Sequence, residues 1–372
     1  MKLRSISKLA AALVLAGAGL ATADDATLGS LEQTVIRLCE QTRTAVVRVK
    51  AVVTDDAATA ETGQHATRMM AGTGFFTDAA GEIFTAASVV AGAQQIIVEW
   101  QGQQLPAKLV GADRERSNLA VLRIAGAPPQ LKFPALAFGD SAELRVGSLV
   151  VMIGFPFEMP PSPSVGFVGG AAMYHSTPLL MTRLSISPGE SGAPFLNSKG
   201  QVVGVLYGGT AQQPNVSYAL PARAALRVAA DLRQFGEPRY GSLGMSVQQV
   251  QVVTQTNAPP QPAIRILQVA DNTPAAKAGV QPGDLLLSIN KRPMQVLTDV
   301  AEAMFYLRVG EQAGVQVLHS NQIAQVEIMV MPRISTAAPA AIGAKPQSFT
   351  APADPSTPVI HVQPAAATGI KP

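Results

Sequence analysis

From Ala45 to Pro221 the chain is a series of short β-rich runs broken by Gly, Pro and Asp. They include Val46-Val-Arg-Val-Lys-Ala-Val-Val, Gln95-Ile-Ile-Val-Glu-Trp100, Leu119-Ala-Val-Leu-Arg-Ile, Leu149-Val-Val-Met-Ile and Gln201-Val-Val-Gly-Val-Leu-Tyr. Many short strands at this spacing argue for an all-β barrel or sandwich, and periodicity alone leaves both open. The polar, Ala/Thr-rich stretch from Asp55 to Arg68 reads as a mobile surface loop between strands.

The 372 residues allow two domains plus appendages, and 47% hydrophobic with 14% charged residues suits a globular chain. The first 23 residues read as a secretory signal: Lys2, Arg4 and Lys8 precede an apolar stretch from Leu9 to Leu20, and Ala21-Thr22-Ala23 is a small-residue cleavage site. The apolar stretch is too short to span a bilayer, so no transmembrane segment is expected after cleavage. Removing those three basic residues leaves 25 basic against 25 acidic, so the exported chain is formally neutral and carries no signal for nucleic-acid binding. Cys39 is the only cysteine, which excludes an internal disulfide and a multi-cysteine zinc site. No metal or other cofactor is expected. Residues 24–44 read as a helical segment, with Leu31, Val35, Leu38 and Cys39 on one face.

Three blocks carry chemistry. Gly72-Thr-Gly-Phe-Phe followed by Ile83-Phe-Thr-Ala-Ala-Ser88-Val-Val is the first, Ser117-Asn118-Leu-Ala-Val-Leu-Arg-Ile the second, and Ser187-Pro-Gly-Glu-Ser191-Gly-Ala-Pro the third. Together they resemble the catalytic blocks of the HtrA (Deg) serine proteases. The resemblance implies that residues 45–236 are a trypsin-like domain, two six-stranded barrels of the chymotrypsin type with the site between them. It also implies roles. Ser191 stands at the nucleophile position and Gly189 with Ser191 would supply the oxyanion-hole N–H groups. Ser88 stands where the general-base His belongs, and Asn118 where the Asp belongs.

A serine hydroxyl needs an adjacent base to act as a nucleophile. Ser88 has no useful proton affinity near neutral pH, and Asn118 could not support an imidazolium. His65 and His175 lie in loops outside the family's catalytic positions, His319 and His361 lie further on, and Lys199 sits past the motif in a turn. Ser191 is then read as a small residue kept by a crowded loop. Arg183 and Ala193 are expected near the substrate pocket, where they could obstruct it.

After Val216-Ser-Tyr-Ala-Leu-Pro221 a helix is expected, with Ala225, Val228, Leu232 and Phe235 on one face and Gly236 and Pro238 as its stop. Residues 237–332 resemble an HtrA-type α/β PDZ domain through Arg239-Tyr-Gly-Ser-Leu-Gly-Met245 and Asp271-Asn-Thr-Pro-Ala-Ala-Lys-Ala-Gly-Val-Gln-Pro-Gly-Asp-Leu-Leu-Leu-Ser-Ile-Asn290. The resemblance implies peptide capture: Ser242, Leu243, Gly244 and Met245 form the carboxylate-binding loop, and Met245 with Val300 and Met304 of a helix over 298–307 forms an apolar pocket. A PDZ domain that only packs on the barrel is the competing reading. Residues 333–372, dominated by Ala, Pro, Ser and Thr, read as a disordered tail.

The sequence-based expectation is therefore a mainly β protein, a chymotrypsin-like double β-barrel followed by a PDZ domain. It would be exported to the periplasm or beyond, and would bind peptides or protein C-termini as a pseudoprotease. The family resemblance also suggests a homotrimer. The competing function is a serine endopeptidase with atypical catalytic residues.

Overall fold

The computed structural model describes residues 29–54, 66–210, 212–253 and 259–333, and the backbone of 359–361. The expected signal segment, most of the 55–68 loop with His65, and the remainder of the tail lie outside the described residues. Residues 29–42 form helix α1. Its Leu38 is fully buried, and Val35 and Cys39 pack on the same core. Leu31, expected on that face, is instead exposed.

The first barrel comprises β1 (Val46–Thr54), β2 (Thr67–Phe76), β3 (Glu82–Ala86), β4 (Ala93–Trp100), β5 (Gln103–Asp113) and β6 (Leu119–Ile124), closed in the order β1-β2-β3-β6-β5-β4. Alternation explains it: Val47, Val49, Ala51 and Val53 of β1 point into a core filled by Phe76, Trp100 and Phe133. Phe76 and Phe133 stack at 4.6 Å between ring centroids. Thr67 and Arg68, expected in the loop, belong to β2, opposite Thr54 and Val53. The short helix α2 (Ala87–Val90) leaves β3 directly.

The second barrel comprises β7 (Leu149–Gly154), β8 (Ser162–Tyr174), β9 (Thr177–Arg183), β10 (Pro194–Leu196), β11 (Val202–Thr210) and β12 (Gln213–Pro221), closed as β10-β11-β12-β9-β8-β7. Closure removes the free strand edges that an open sheet would expose. A separate cluster sits in the seam between the barrels, where Phe75 and Phe84 meet Leu136, Val151 and Leu196.

Helix α3 (Ala222–Phe235) closes that seam with Ala225, Val228 and Leu232, all fully buried. Phe235 departs from the expected face. It is exposed at the helix end, where the Arg239 guanidinium lies 3.8 Å from its ring centroid.

The third unit comprises β13 (Gly241–Ser242), β14 (Met245–Val253), β15 (Gln261–Val269), α4 (Pro274–Lys277), β16 (Leu285–Ile289), β17 (Arg292–Pro293), α5 (Leu297–Tyr306), β18 (Gln312–His319), β19 (Gln322–Met329) and β20 (Met331–Pro332). Its main sheet runs β19-β18-β16-β15-β14, and β13 pairs with β20. One segment of the tail departs from the expectation of disorder: β21 (Val359–His361) pairs with β14 in parallel.

This unit is docked on the barrels by charge and aromatic contacts. Tyr240 donates to Asp113, and the Arg116 guanidinium lies 3.8 Å from the Tyr240 ring centroid. Arg227 pairs with Asp231 of its own helix and donates to the carbonyls of Arg239 and Leu307. Both members of that pair are about 5% exposed, and each is compensated by the other and by backbone groups.

Candidate functional site

Ser88 lies on α2, two residues beyond the end of β3, and Asn118 immediately precedes β6, the strand beside β3. The two are joined by the backbone. Ala87 N donates to Asn118 O at 2.8 Å, and Ser88 N donates to Asn118 Oδ1 at 2.8 Å. Asn118 adopts φ +52°, a left-handed conformation that Asn tolerates better than most residues. Its Nδ2 donates to Tyr207 O at 3.0 Å, across the seam on β11. A carboxylate could accept from Ser88 N as this amide does, but it has no proton to give Tyr207 O.

Ser191 lies in the turn before β10. That turn is pinned to β2: Thr73 N donates to Ser191 O at 2.9 Å and Thr73 Oγ1 to Gly189 O at 2.8 Å. A Cβ on Gly192 would lie 2.4 Å from Ala86 N and 2.5 Å from Thr73 O. The ends of β2 and β3 and the 189–192 turn are therefore in van der Waals contact, and the structure gathers Ser88, Asn118, Gly189 and Ser191 at the seam. Among the described residues no hydrogen bond joins the Ser191 hydroxyl to Ser88 or to a histidine.

The 187–193 turn is anchored through its backbone. The N–H groups of Gly189 and Ser191 belong to the peptides whose carbonyls are those of Pro188 and Glu190. Pro188 O accepts from Phe157 N at 2.7 Å, and Glu190 O accepts from Ala193 N at 2.9 Å. In a trans peptide the N–H points away from the C=O. Anchoring both carbonyls therefore fixes the direction of both N–H groups. Gly189 sits at φ +94°, and a Cβ there would meet Phe155 O at 2.4 Å. Glu190 is buried and accepts from Ser187 N at 2.6 Å. Burial pushes its carboxyl above the ordinary range, partly offset by that hydrogen bond.

One expectation is corrected here. Ala193 is fully buried in the core of the second barrel beside Val150, Phe195 and Leu206, so its methyl cannot obstruct a substrate pocket. Arg183 ends β9 as an exposed residue. His175 occupies the β8–β9 turn with its ring centroid 4.2 Å from that of Tyr174. Lys199 is exposed in the turn before β11, where its N–H donates to Asn197 Oδ1. His319 lies on β18 of the third unit, paired with Asp284 at 2.6 Å.

In the third unit, Leu243 and Val300 are buried in one cluster, with Met245 and Met304 partly buried against it. Ser242 Oγ accepts from Gly244 N at 3.2 Å and Gly244 O accepts from Ala270 N at 2.9 Å, which shapes the turn into β14. Gln249 Oε1 accepts from Leu297 N at 3.3 Å, so the start of α5 lies beside β14. The opposite side of α5 is committed to the barrels: Phe305 is fully buried, and the Arg223 guanidinium lies 4.5 Å from the Tyr306 ring centroid. Val300 and Met304 thus join the cluster that holds Met245 and Val247 of β14, while Phe305 and Tyr306 meet the barrels. An open cleft of about 970 Å³ adjoins the loop and is lined by Ser242, Gly244, Met245, Asp271, Thr273 and Met331 among others. Val300 and Met304 do not line it. The junction of Asp113, Arg116 and Tyr240 was missed by sequence reasoning, since nothing in those three separated segments marks them as partners. Among the described residues no cluster of His, Cys, Asp and Glu could hold a metal.

Residues 72–205 match the family model of the trypsin-like peptidase domain, and residues 241–330 that of the PDZ domain. A Pseudomonas putida protein named "Probable periplasmic serine endoprotease DegP-like" is 34% identical over 269 residues, covering 70% of this chain and 55% of that protein. A Hahella chejuensis protein of the same name is 33% identical over 269 residues, with 70% and 56% covered. The chain thus spans about half the length of the curated relatives it matches. Among solved structures, an HtrA-type protease AlgW with tripeptide superposes with TM-score 0.64 at 24% identity, covering 81% of this chain and 98% of that one. A serine endoprotease from Yersinia pestis superposes with TM-score 0.57 at 24% identity, covering 81% and 98%. At that identity the structural likeness is one of fold. With two closed barrels, a PDZ-type unit behind them and both sequence models in register with them, the chain combines a trypsin-like peptidase domain with a PDZ domain and matches the HtrA/DegP family.

Proposed function

We propose that this chain is an exported HtrA-like pseudoprotease that binds peptides or unfolded segments through its PDZ domain, as a scaffold, adaptor or regulator. The observation that carries the proposal is at Ser88 and Asn118. The site has a nucleophile position and an anchored oxyanion turn, but the general-base position holds a serine. The orienting position holds an amide whose two ends are spent on Ser88 N and Tyr207 O. Loss of the base alone costs on the order of a million-fold in a comparable triad enzyme, roughly 8 kcal/mol of barrier. Peptide binding is supported by the β14–α5 face and the 242–245 loop. Export to the periplasm is supported by the names of the relatives and by the N-terminal sequence. A homotrimer is carried with the proposal on family resemblance alone.

A second reading, a serine endopeptidase with atypical residues, is favoured by the relatives' names. Turnover of unfolded casein decides between them. The parent chain is expected to match Ser191→Ala at background and to resist a fluorophosphonate probe. Activity that disappears in Ser191→Ala would establish the endopeptidase instead.

A further inference from the structure

The free edge of β14 is where a PDZ module adds a peptide strand. In this chain part of that edge is taken. β21 lies along it in parallel, with Val359, Ile360 and His361 opposite Gln251, Val252 and Val253. Without β21 the order β19-β18-β16-β15-β14 would leave β14 open. The sequence points to the same segment independently. Within 334–372, β-branched residues are densest at Thr357, Val359, Ile360 and Val362, as strands favour. Residues 334–358 can reach about 80 Å when extended, ample to bring the segment back across a small domain.

Direction and position define what β21 does. A peptide whose carboxylate is held by the 242–245 loop must run towards that loop, antiparallel to β14. β21 runs the opposite way, so it does not imitate a captured C-terminus. It covers Gln251–Val253, at the end of β14 remote from the loop. Strands pair residue for residue, so a captured peptide reaches Gln251 only about six residues upstream of its end, the separation of Gln251 from Met245.

We propose that Val359–His361 is a built-in competitor for the outer part of the β14 edge: short peptides bind beside it, and peptides long enough to reach Gln251 must displace it. This rests on the peptide-binding reading of the PDZ domain. It makes that site sensitive to ligand length, and anything that sequesters the tail would relieve the competition.

The test uses the full chain and a variant carrying Val359→Pro, Ile360→Pro and His361→Pro, which removes every donor of the strand. Two free-carboxylate probes ending in the same apolar residue are titrated, a tetrapeptide and a decapeptide. The variant should bind the decapeptide at least about threefold more tightly, with tetrapeptide affinity unchanged. Independently of any peptide, amide exchange over Gln251–Val253 should accelerate about tenfold or more in the variant. Unchanged exchange overturns the proposal, as does faster exchange with no gain for the decapeptide. Tetrapeptide binding without a length effect removes the competitor and leaves the PDZ reading standing. Failure of both peptides on both proteins removes the PDZ reading and the competitor with it.

Discussion

Restoring the two missing residues together, Ser88→His with Asn118→Asp, tests how far the damage to the site extends. The imidazole should recover most of the lost base function. The carboxylate should recover the tautomer control that is worth about ten-thousand-fold in a related triad. The structure sets a limit on the repair. Asn118 spends Nδ2 on Tyr207 O at 3.0 Å. An aspartate at 118 keeps the bond from the residue-88 N–H, loses the one to Tyr207, and sets an acceptor against an acceptor. Leaving a partly buried carbonyl unpaired costs about 1–3 kcal/mol. The new carboxyl can escape by holding a proton and donating it to Tyr207 O, which raises its pKa above the ordinary carboxylate value. The sign follows: a raised folded-state pKa favours the protonated form, so the variant loses stability as pH rises through that value. The charge needed to support an imidazolium is gained over the same interval. Fluorophosphonate labelling of Ser191 in the double variant should therefore climb as pH rises, and its advantage over Ser88→His alone should widen as the carboxyl ionises. If Asn118→Asp leaves the melting temperature unchanged and Ser88→His labels as fast as the double variant, the reasoning about both ends of Asn118 is wrong. If the folded double variant does not label at all, the anchored carbonyls of Pro188 and Glu190 do not suffice to make an oxyanion hole.

Three further outcomes are expected. Amidating a peptide ligand should weaken its binding to the PDZ domain by about 1.5–3 kcal/mol, as for loss of a charge-assisted hydrogen bond, and equal affinities by calorimetry would remove carboxylate capture. Gly192→Ala, with φ +88° and no room for a Cβ, should destabilise the protein by about 1–3 kcal/mol or more in denaturant titrations, whereas Ser191→Ala should stay within about 0.5 kcal/mol of the parent. Glu82 is buried, which alone would raise its pKa, but Arg233, Thr77 and Arg123 together hold it below the ordinary range. Its contribution is complete above the unfolded carboxylate value of about 4.3 and is lost as pH falls through the lower folded value, so Glu82→Gln should flatten the acid side of a melting-temperature profile.

Much of the fold was legible because local pattern and burial agree. The expected runs over 46–53, 119–124 and 149–153 fall within β1, β6 and β7, and their alternation reflects which side chains enter each barrel. Closure was not legible from pattern. It depends on pairs such as β3 with β6 and β7 with β10, whose partners are tens of residues apart and leave no periodic trace. Phe235 shows a different limit: helical spacing places it on the buried face, but the helix ends there, and Arg239 covers the ring in place of the core. β21 was hidden by composition, since three strand-forming residues do not outweigh the Pro- and Ala-rich residues around them. At the site, residue identities at 88, 118 and 191 were readable. The second partner of Asn118 was not, because Tyr207 takes part through its backbone carbonyl and no side-chain motif can announce that.

The seam also explains why the 189–192 turn is held whether or not the chain cleaves peptides. Gly192 is excluded from carrying a side chain by Ala86 N and Thr73 O, and Gly189 by Phe155 O. Thr73 ties the same turn to β2 through two hydrogen bonds, and donates nothing to a substrate in doing so. These constraints come from packing one barrel against the other, and they act whether or not Ser191 is ever acylated. A turn of this sequence is therefore what the double barrel requires for its own stability, and its presence carries little information about catalysis. Ser88 is under no comparable steric demand, and Asn118, at φ +52°, sits where Asn and Asp are both tolerated. Ser88 is only partly buried and touches Asn118 through its backbone N–H, so a histidine could be housed without disturbing that bond. Function is thus better read at the positions where the fold leaves a choice: Ser88 is no base for the proton transfer that peptide hydrolysis needs, and Asn118 carries no charge to support an imidazolium.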